Sequence, residues 1–138
     1  MPEAPPGGAR ATAVSMTVAE VVLLTIPGSG NLGPVNIDNP TQIPFYPSLI
    51  IRGTANVTIA GTSTGFSLRC RRLGLTGTQV GTTQATTIVA GDVTAINVPF
   101  TFQDLANPDP SGGYVITGAA VVATNTVNEI IGSINDGS

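Results

Sequence analysis

The stretch GFSLRCRRLG, from Gly65 to Gly74, holds the only cysteine and three of the five basic residues of the chain. If this stretch is an extended strand, its side chains alternate between two faces. One face then carries Phe66, Leu68, Cys70 and Arg72, and the other carries Ser67, Arg69 and Arg71. An apolar face opposite a polar one is typical of a strand that covers a hydrophobic core, so the stretch favours a β fold.

The two faces lead to separate predictions for the cysteine and for the arginines. Cys70 shares its face with Phe and Leu side chains, so we expect a small buried side chain and not a thiol activated by positive charge. Arg72 comes at the end of the strand and is predicted to turn out of the core. Arg69 and Arg71 form a basic row on the outer face, which leaves two interpretations open: an ion pair within the chain or a contact with a neighbouring subunit.

Composition extends the β prediction to the whole chain. The length of 138 residues suits a single domain. The sequence contains 17 Gly and 11 Pro and is rich in Thr, Val and Ile, which favours strands joined by turns. Charged residues make up only 9% and lysine is absent. Protein surfaces are normally much richer in charge, so we expect much of this surface to be covered by other copies or other proteins.

Short β-branched segments bounded by turn residues recur along the chain. The run from Ala13 to Ile26 allows a short helix, but its β-branched residues and the Pro27-Gly28 breaker favour a strand. Further strands are predicted at Ser48–Gly61 with a bulge at Gly53, at Gly65–Gly74, Thr86–Gly91, Val93–Asp104, Gly112–Thr124 and Thr126–Ile134. We predict about eight strands, packed as two four-stranded sheets.

Two segments fall outside this pattern. Residues 1–12 are rich in Pro, Gly and Ala and bury too little apolar surface to order themselves, so we predict an extended flexible arm that precedes a single domain at 13–138. Four prolines between Asn31 and Pro47 predict an irregular connection. The first residues lack the pattern of a signal peptide, and the apolar run from Val21 to Ile26 is too short to span a membrane.

The side chains that most catalytic and ligand sites need are scarce. There is no histidine, which excludes Ser-His-Asp and Cys-His arrangements, and one cysteine cannot build a zinc site. The segments Asn36–Asn39 and Asp104–Gly113 contain oxygen ligands but lack the spacing of a known calcium loop. A net charge of −3 argues against nucleic-acid binding. We therefore expect no enzymatic activity, no cofactor, no metal, no nucleic acid and no membrane partner.

The order of three motifs between residues 48 and 134 resembles a known family. ANVTIAGTSTGFSLRCRRLGLTGTQVG is followed by AINVPFTFQDL and then by SGGYVITGAAVVATNTVNEIIGSI. This series is similar to the trimeric jelly-roll decoration (cement) proteins on the heads of tailed double-stranded DNA bacteriophages. The same pattern would also suit the receptor-binding head of a phage tail fibre or a trimeric ligand resembling tumour necrosis factor.

The resemblance implies a structural role. It predicts an antiparallel jelly-roll sandwich that forms a homotrimer, binds the major capsid protein on the outer surface of the virion and stabilises the shell. The arm would reach across the shell and become ordered on docking. The residues expected at protein interfaces are Pro2, Pro5, Pro6, Arg10, Arg69, Arg71 and Arg72. The scarcity of aromatic residues and the absence of Trp argue against a sugar-binding fibre tip.

Overall fold

The computed structural model describes residues 8–28, 48–91, 94–105 and 112–136. Eight strands lie in these ranges: β1 (Gly8–Met16), β2 (Val21–Ile26), β3 (Leu49–Thr58), β4 (Gly65–Arg72), β5 (Gln79–Thr87), β6 (Ala95–Asp104), β7 (Tyr114–Val121) and β8 (Asn125–Asp136). No α-helix occurs in the described ranges, and so none there is long and apolar enough to cross a membrane.

The strands form two antiparallel four-stranded sheets. The first sheet has the order β1-β8-β3-β6 and the second has the order β2-β7-β4-β5. Strand pairs that are distant in sequence, such as β1 with β8 and β2 with β7, lie side by side. Two nested Greek keys with this strand order define a jelly roll. The predicted all-β sandwich is confirmed.

The strand directions divide the connections between two ends of the sandwich. The connections β1–β2, β3–β4, β5–β6 and β7–β8 lie at one end, which we call the Asn125 end after the first residue of β8. The connections β2–β3, β4–β5 and β6–β7 lie at the opposite end, which we call the Arg72 end after the last residue of β4.

The core lies between the inner faces of the two sheets, and strand β3 shows how the sequence builds it. Leu49, Ile51, Ala55 and Val57 are fully buried and alternate with more exposed residues, as a period of two requires. Gly53 keeps this phase and pairs in register with Phe100 and Gly132, so the predicted bulge at Gly53 is wrong. The register shift occurs later, where Asn56 pairs with Glu129 and Val57 pairs with Val127.

Gly53 has a different role, which is to let two backbones approach. A Cβ atom added at Gly53 would lie 1.8 Å from the carbonyl oxygen of Ile131. A Cβ at its partner Gly132 would come within 3.0 Å of the side chain of Leu24. The centre of the first sheet therefore lacks two side chains.

Three further predictions are corrected by the strand bounds. The run from Ala13 to Ile26 contributes to two strands, because the chain turns at Thr17–Glu20 without a Gly or Pro. Strand β5 is Gln79–Thr87 and not Thr86–Gly91. Of the predicted arm, residues 1–7 lie outside the described ranges, whereas Gly8–Thr12 belong to β1, where Ala9 and Ala11 pack against the core and the backbone pairs with β8.

Candidate interaction surface

The inner face of β4 agrees with the sequence prediction. Phe66, Leu68 and Cys70 are 1%, 0% and 0% exposed. Burial and, to a smaller extent, the nearby Asp104 carboxylate raise the pKa of the Cys70 thiol to about 12. A buried thiol with so high a pKa supplies almost no thiolate at neutral pH, so Cys70 is a core side chain and not a nucleophile.

The outer face of β4 joins Arg69 and Arg71 to a single carboxylate, that of Glu20. The Nε and Nη2 atoms of Arg71 donate to Glu20 at 2.6 and 2.9 Å, and the hydroxyl of buried Thr117 donates at 2.6 Å. Arg69 Nη1 lies 3.6 Å from the same carboxylate. The hydrogen bond from Arg71 is the main reason that the pKa of Glu20 falls to about 2. The structure therefore contains the intrachain pair, one of the two alternatives left open by the sequence.

Arg72 does not turn away from the core, which corrects the prediction for that residue. It keeps the phase of the inner face, and its Nε and Nη2 atoms donate to the Asp104 carboxylate at 2.8 and 2.6 Å. Asp104 is only 3% exposed and also accepts a 2.6 Å hydrogen bond from the hydroxyl of buried Tyr114. The bond to Asp104 raises the pKa of Arg72, and burial followed by the same carboxylate raises the pKa of Tyr114. The ion pair with Asp104 therefore holds Arg72 at the edge of the core.

Arg10, the remaining basic residue of the predicted interface, also has a partner in its own chain. It lies on β1, and its Nε donates to the Glu129 carboxylate of β8 at 2.8 Å. The predicted interface residues Pro2, Pro5 and Pro6 lie outside the described ranges. The four arginines therefore do not form one surface: Arg10 lies on the outer face of the first sheet, Arg69 and Arg71 on that of the second, and Arg72 at one end.

The Asn125 end contains a neutral polar cluster that the sequence analysis did not identify. Asn125 is 1% exposed, accepts a hydrogen bond from the Ala60 backbone at 2.9 Å and donates to Ser63 Oγ at 3.1 Å. The hydroxyl of Ser63, itself fully buried, donates to the Val121 carbonyl at 2.9 Å. This cluster joins the β3–β4 turn to β7 and β8 without a charge.

Exposed apolar side chains stand on connections at both ends of the sandwich. Three leucines lie at the Arg72 end: Leu73 (76% exposed), Leu75 (41%) and Leu105 (69%). The Asn125 end carries Val18, Val89 and Val122, with Val121 at the last position of β7. Leu73 and Leu105 directly follow the ion-paired residues Arg72 and Asp104, so the ion pair fixes the bases of both loops. Leu73 also has a φ of 69°, a left-handed conformation that is uncommon for a bulky residue.

The outer face of the first sheet contains an open groove of about 420 Å³. It is lined by Arg52, Thr54, Pro99, Thr101, Ile131 and Ser133, above Gly53, Phe100 and Gly132. The groove lies over the row formed by Gly53, Phe100 and Gly132, whose own side-chain positions face the core. Sequence reasoning did not find this groove, because its lining comes from β3, β6 and β8, which are far apart in the chain.

In the described ranges, the structure brings together no set of catalytic or metal-ligating side chains. These ranges contain no group of three His, Cys, Asp or Glu side chains that could hold a metal. The acids there whose side chains the structure describes, Glu20, Asp104 and Glu129, each form an ion pair with arginine. The segment Asn36–Asn39 and most of Asp104–Gly113, which were considered for calcium, lie outside the described ranges. The described aromatic side chains Phe66, Phe100, Phe102 and Tyr114 are all buried, and none is available there to stack on a ligand.

Comparison with known proteins finds only weak structural similarities. No family model and no curated protein matches the chain. A solved structure described as "CBM4 structure and function" is 11% identical, with a TM-score of 0.45 and coverage of 94% of each chain. A carbohydrate-binding module from Cellvibrio mixtus lichenase 5A, in complex with cellotriose, is 19% identical with a TM-score of 0.38, over 94% of this chain and 90% of that one.

A viral structure is also among the weak matches. A chain from the structure of infectious bursal disease virus Gx strain is 10% identical with a TM-score of 0.28, over 94% of this chain but only 36% of the viral chain. Identities and TM-scores this low support no functional conclusion. The assignment of the chain as a jelly roll rests on its own strand order.

Proposed function

We propose that this chain is a non-enzymatic capsid decoration protein, which binds the outer surface of a viral head as a homotrimer and stabilises the shell. The phage head, the trimer and the major capsid protein as partner come from the sequence resemblance. The structural observation that carries the proposal is the triplet of exposed leucines at the Arg72 end. Surfaces that expose large apolar side chains together are typical of interaction sites.

The ion pairs of the described surface also favour docking through the leucines. Arg10, Arg69, Arg71 and Arg72 are ion-paired within the chain, so docking through them would require an intrachain pair to be broken or shared. No ion pair would have to be broken for docking through Leu73, Leu75 and Leu105. We therefore place the main shell contact at these three leucines, with the arginines as secondary contacts. Because many copies repeat the same contact, a modest area on each subunit is sufficient.

The first experiment measures the copy number of this chain in virus particles purified from its source, relative to the main shell protein. Decoration of the head predicts hundreds of copies per particle. A handful of copies would instead support the alternative of a receptor-binding tail-fibre head. Complete absence from the particle would overturn both and favour the trimeric ligand resembling tumour necrosis factor.

The hypothesis that the N-terminal arm contributes to attachment is tested by a truncation that leaves strand β1 intact. Removal of residues 1–12 would delete half of β1 and expose the edge of β8. Removal of residues 1–7 leaves β1 intact, so we expect the domain to remain folded and fewer copies to be retained on particles after a salt wash. Unchanged retention would exclude the arm from the attachment mechanism.

A further inference from the structure

The groove on the first sheet has a cationic rim and an apolar floor. Arg52 and the hydroxyls of Thr54, Thr101 and Ser133 surround it, and the remaining lining comes from Pro99, Phe100, Ile131 and the two glycines. Such a lining suits an extended apolar segment that carries one carboxylate.

Arg52 differs from the asparagines and the other arginine of this face. Asn128 donates to Asn56 at 2.7 Å, Asn56 donates to Asn97 at 2.8 Å, and Arg10 is bonded to Glu129. Within the described ranges, Arg52 is exposed and is the one arginine that has no hydrogen bond or ion pair. Its guanidinium is therefore available to a carboxylate from a segment laid over the sheet.

The register of the sheet places the start of β1 in the same row as this arginine. Gly8 pairs with Ser133, Ser133 pairs with Arg52, and Arg52 pairs with Thr101. Neighbouring strands are about 4.8 Å apart, so Arg52 lies about 10 Å from Gly8 across the sheet. Whatever precedes Gly8 begins at the side of the groove.

Residues 1–7, MPEAPPG, have the chemistry that the groove accepts. Pro5 and Pro6 have no backbone N–H, so they cannot continue the ladder with β8, and Gly7 permits a turn onto the face. Glu3 is five residues before Gly8 and can reach about 16 Å, which exceeds the distance to Arg52. Prolines in an extended conformation present an apolar surface to Pro99 and Ile131.

We propose that, in the free protein, residues 1–7 lie in the groove of their own chain, with the Glu3 carboxylate bound to the Arg52 guanidinium. This docking does not depend on the role of the protein in a virion. If the decoration function is correct, the shell competes with the groove for the same segment, and the segment is released on attachment.

Disulfide trapping in the free full-length protein tests this docking. With Glu3 over Arg52, Pro2 lies over Thr101, the next residue in the row. We expect Pro2→Cys with Thr101→Cys to form an intramolecular disulfide under diamide at least tenfold faster than Pro2→Cys with Ala95→Cys. Ala95 is the matched control, because it is exposed on the same strand and face but about 20 Å away. Native Cys70 is fully buried and does not compete.

Charge variants separate docking from simple proximity. Adding Arg52→Gln should slow the disulfide about two- to fivefold, as expected for an exposed ion pair, whereas Arg69→Gln on the other sheet should leave the rate unchanged. The exchange of charges, Glu3→Arg with Arg52→Glu, should restore the rate. A rate independent of Arg52, equal rates at positions 95 and 101, or disulfides between two copies would each overturn the proposal.

Discussion

The two ends of the sandwich hold buried polar groups by different chemistry. At the Arg72 end, a carboxylate, a guanidinium and a phenol meet at Asp104. At the Asn125 end, an amide and a hydroxyl satisfy backbone groups without any charge. Asp104 and Asn125 are nearly equally buried, at 3% and 1% exposure. The comparison teaches that equal burial does not mean equal energetic consequence, because an unpaired charge is harder to bury than an unpaired amide.

Asp104→Ala tests the charged end and should have the largest effect. It leaves the Arg72 guanidinium and the buried Tyr114 hydroxyl without this carboxylate, so we expect the free energy of unfolding to fall by about 3 kcal/mol. Urea denaturation measures the loss. Asp104→Asn keeps the shape and an acceptor for Tyr114 and should lose less. Equal losses in the two variants would show that charge is not the reason for the effect.

Asn125→Ala tests the neutral end. It removes the acceptor for the Ala60 backbone N–H and one partner of Ser63, so we expect a loss of about 2 kcal/mol in the same assay. The loss should be the same at pH 5 and pH 8, because no group of this cluster titrates in that range. A larger loss than that of Asp104→Ala would reverse the ranking of the two ends.

Acid titration sharpens the comparison at Glu20, which lies in the connection β1–β2 of the otherwise neutral end. Its pKa is lowered to about 2 from the ordinary value of 4.5, so its contribution to stability is complete above about pH 4.5 and is lost as the pH falls toward 2. These side chains are 21–28% exposed, so we expect only about 1 kcal/mol after solvent screening. Glu20→Gln should remove this part of the acid dependence, which thermal unfolding at pH 2.5, 4 and 6 would measure.

Leu73→Ser with Leu105→Ser should have the smallest effect on stability, less than about 0.5 kcal/mol, because both side chains are exposed. Under the proposed function, this variant should nevertheless lose attachment to particles in a co-sedimentation assay. Val89→Ser, an exposed apolar side chain at the Asn125 end, is the matched control and should attach normally. Equal attachment of the two variants would remove the leucines from the docking surface.

The sequence predicted the architecture because local patterns determine it. The alternation of Phe66, Leu68 and Cys70 identified an inner face, and β-branched runs between turns gave two four-stranded sheets. The turn at Thr17–Glu20 was not predicted, because it contains no Gly or Pro. Strand β5 was misplaced because its Gly, Thr and Gln residues resemble a connection.

The candidate surfaces were less predictable because they depend on distant pairings. Glu20 is 51 residues from Arg71, and Asp104 is 32 residues from Arg72. No local pattern indicates which acid will meet which arginine. The groove is lined by residues of β3, β6 and β8, which become neighbours only through the pairing of the strands in the sheet. Gly53, in the middle of a well-alternating strand, was interpreted as a bulge, whereas it permits the close approach of β3 and β8.

Because Cys70 is buried, the reaction rate of its thiol with a labelling reagent reports on unfolding. The protein has a single thiol, which lies on the inner face of β4 with no exposed surface. A thiol reagent can reach it only when β4 separates from its neighbours, so the labelling rate under native conditions counts opening events. Under the proposed function, the same measurement on intact particles would show whether attachment slows that opening, without an engineered cysteine.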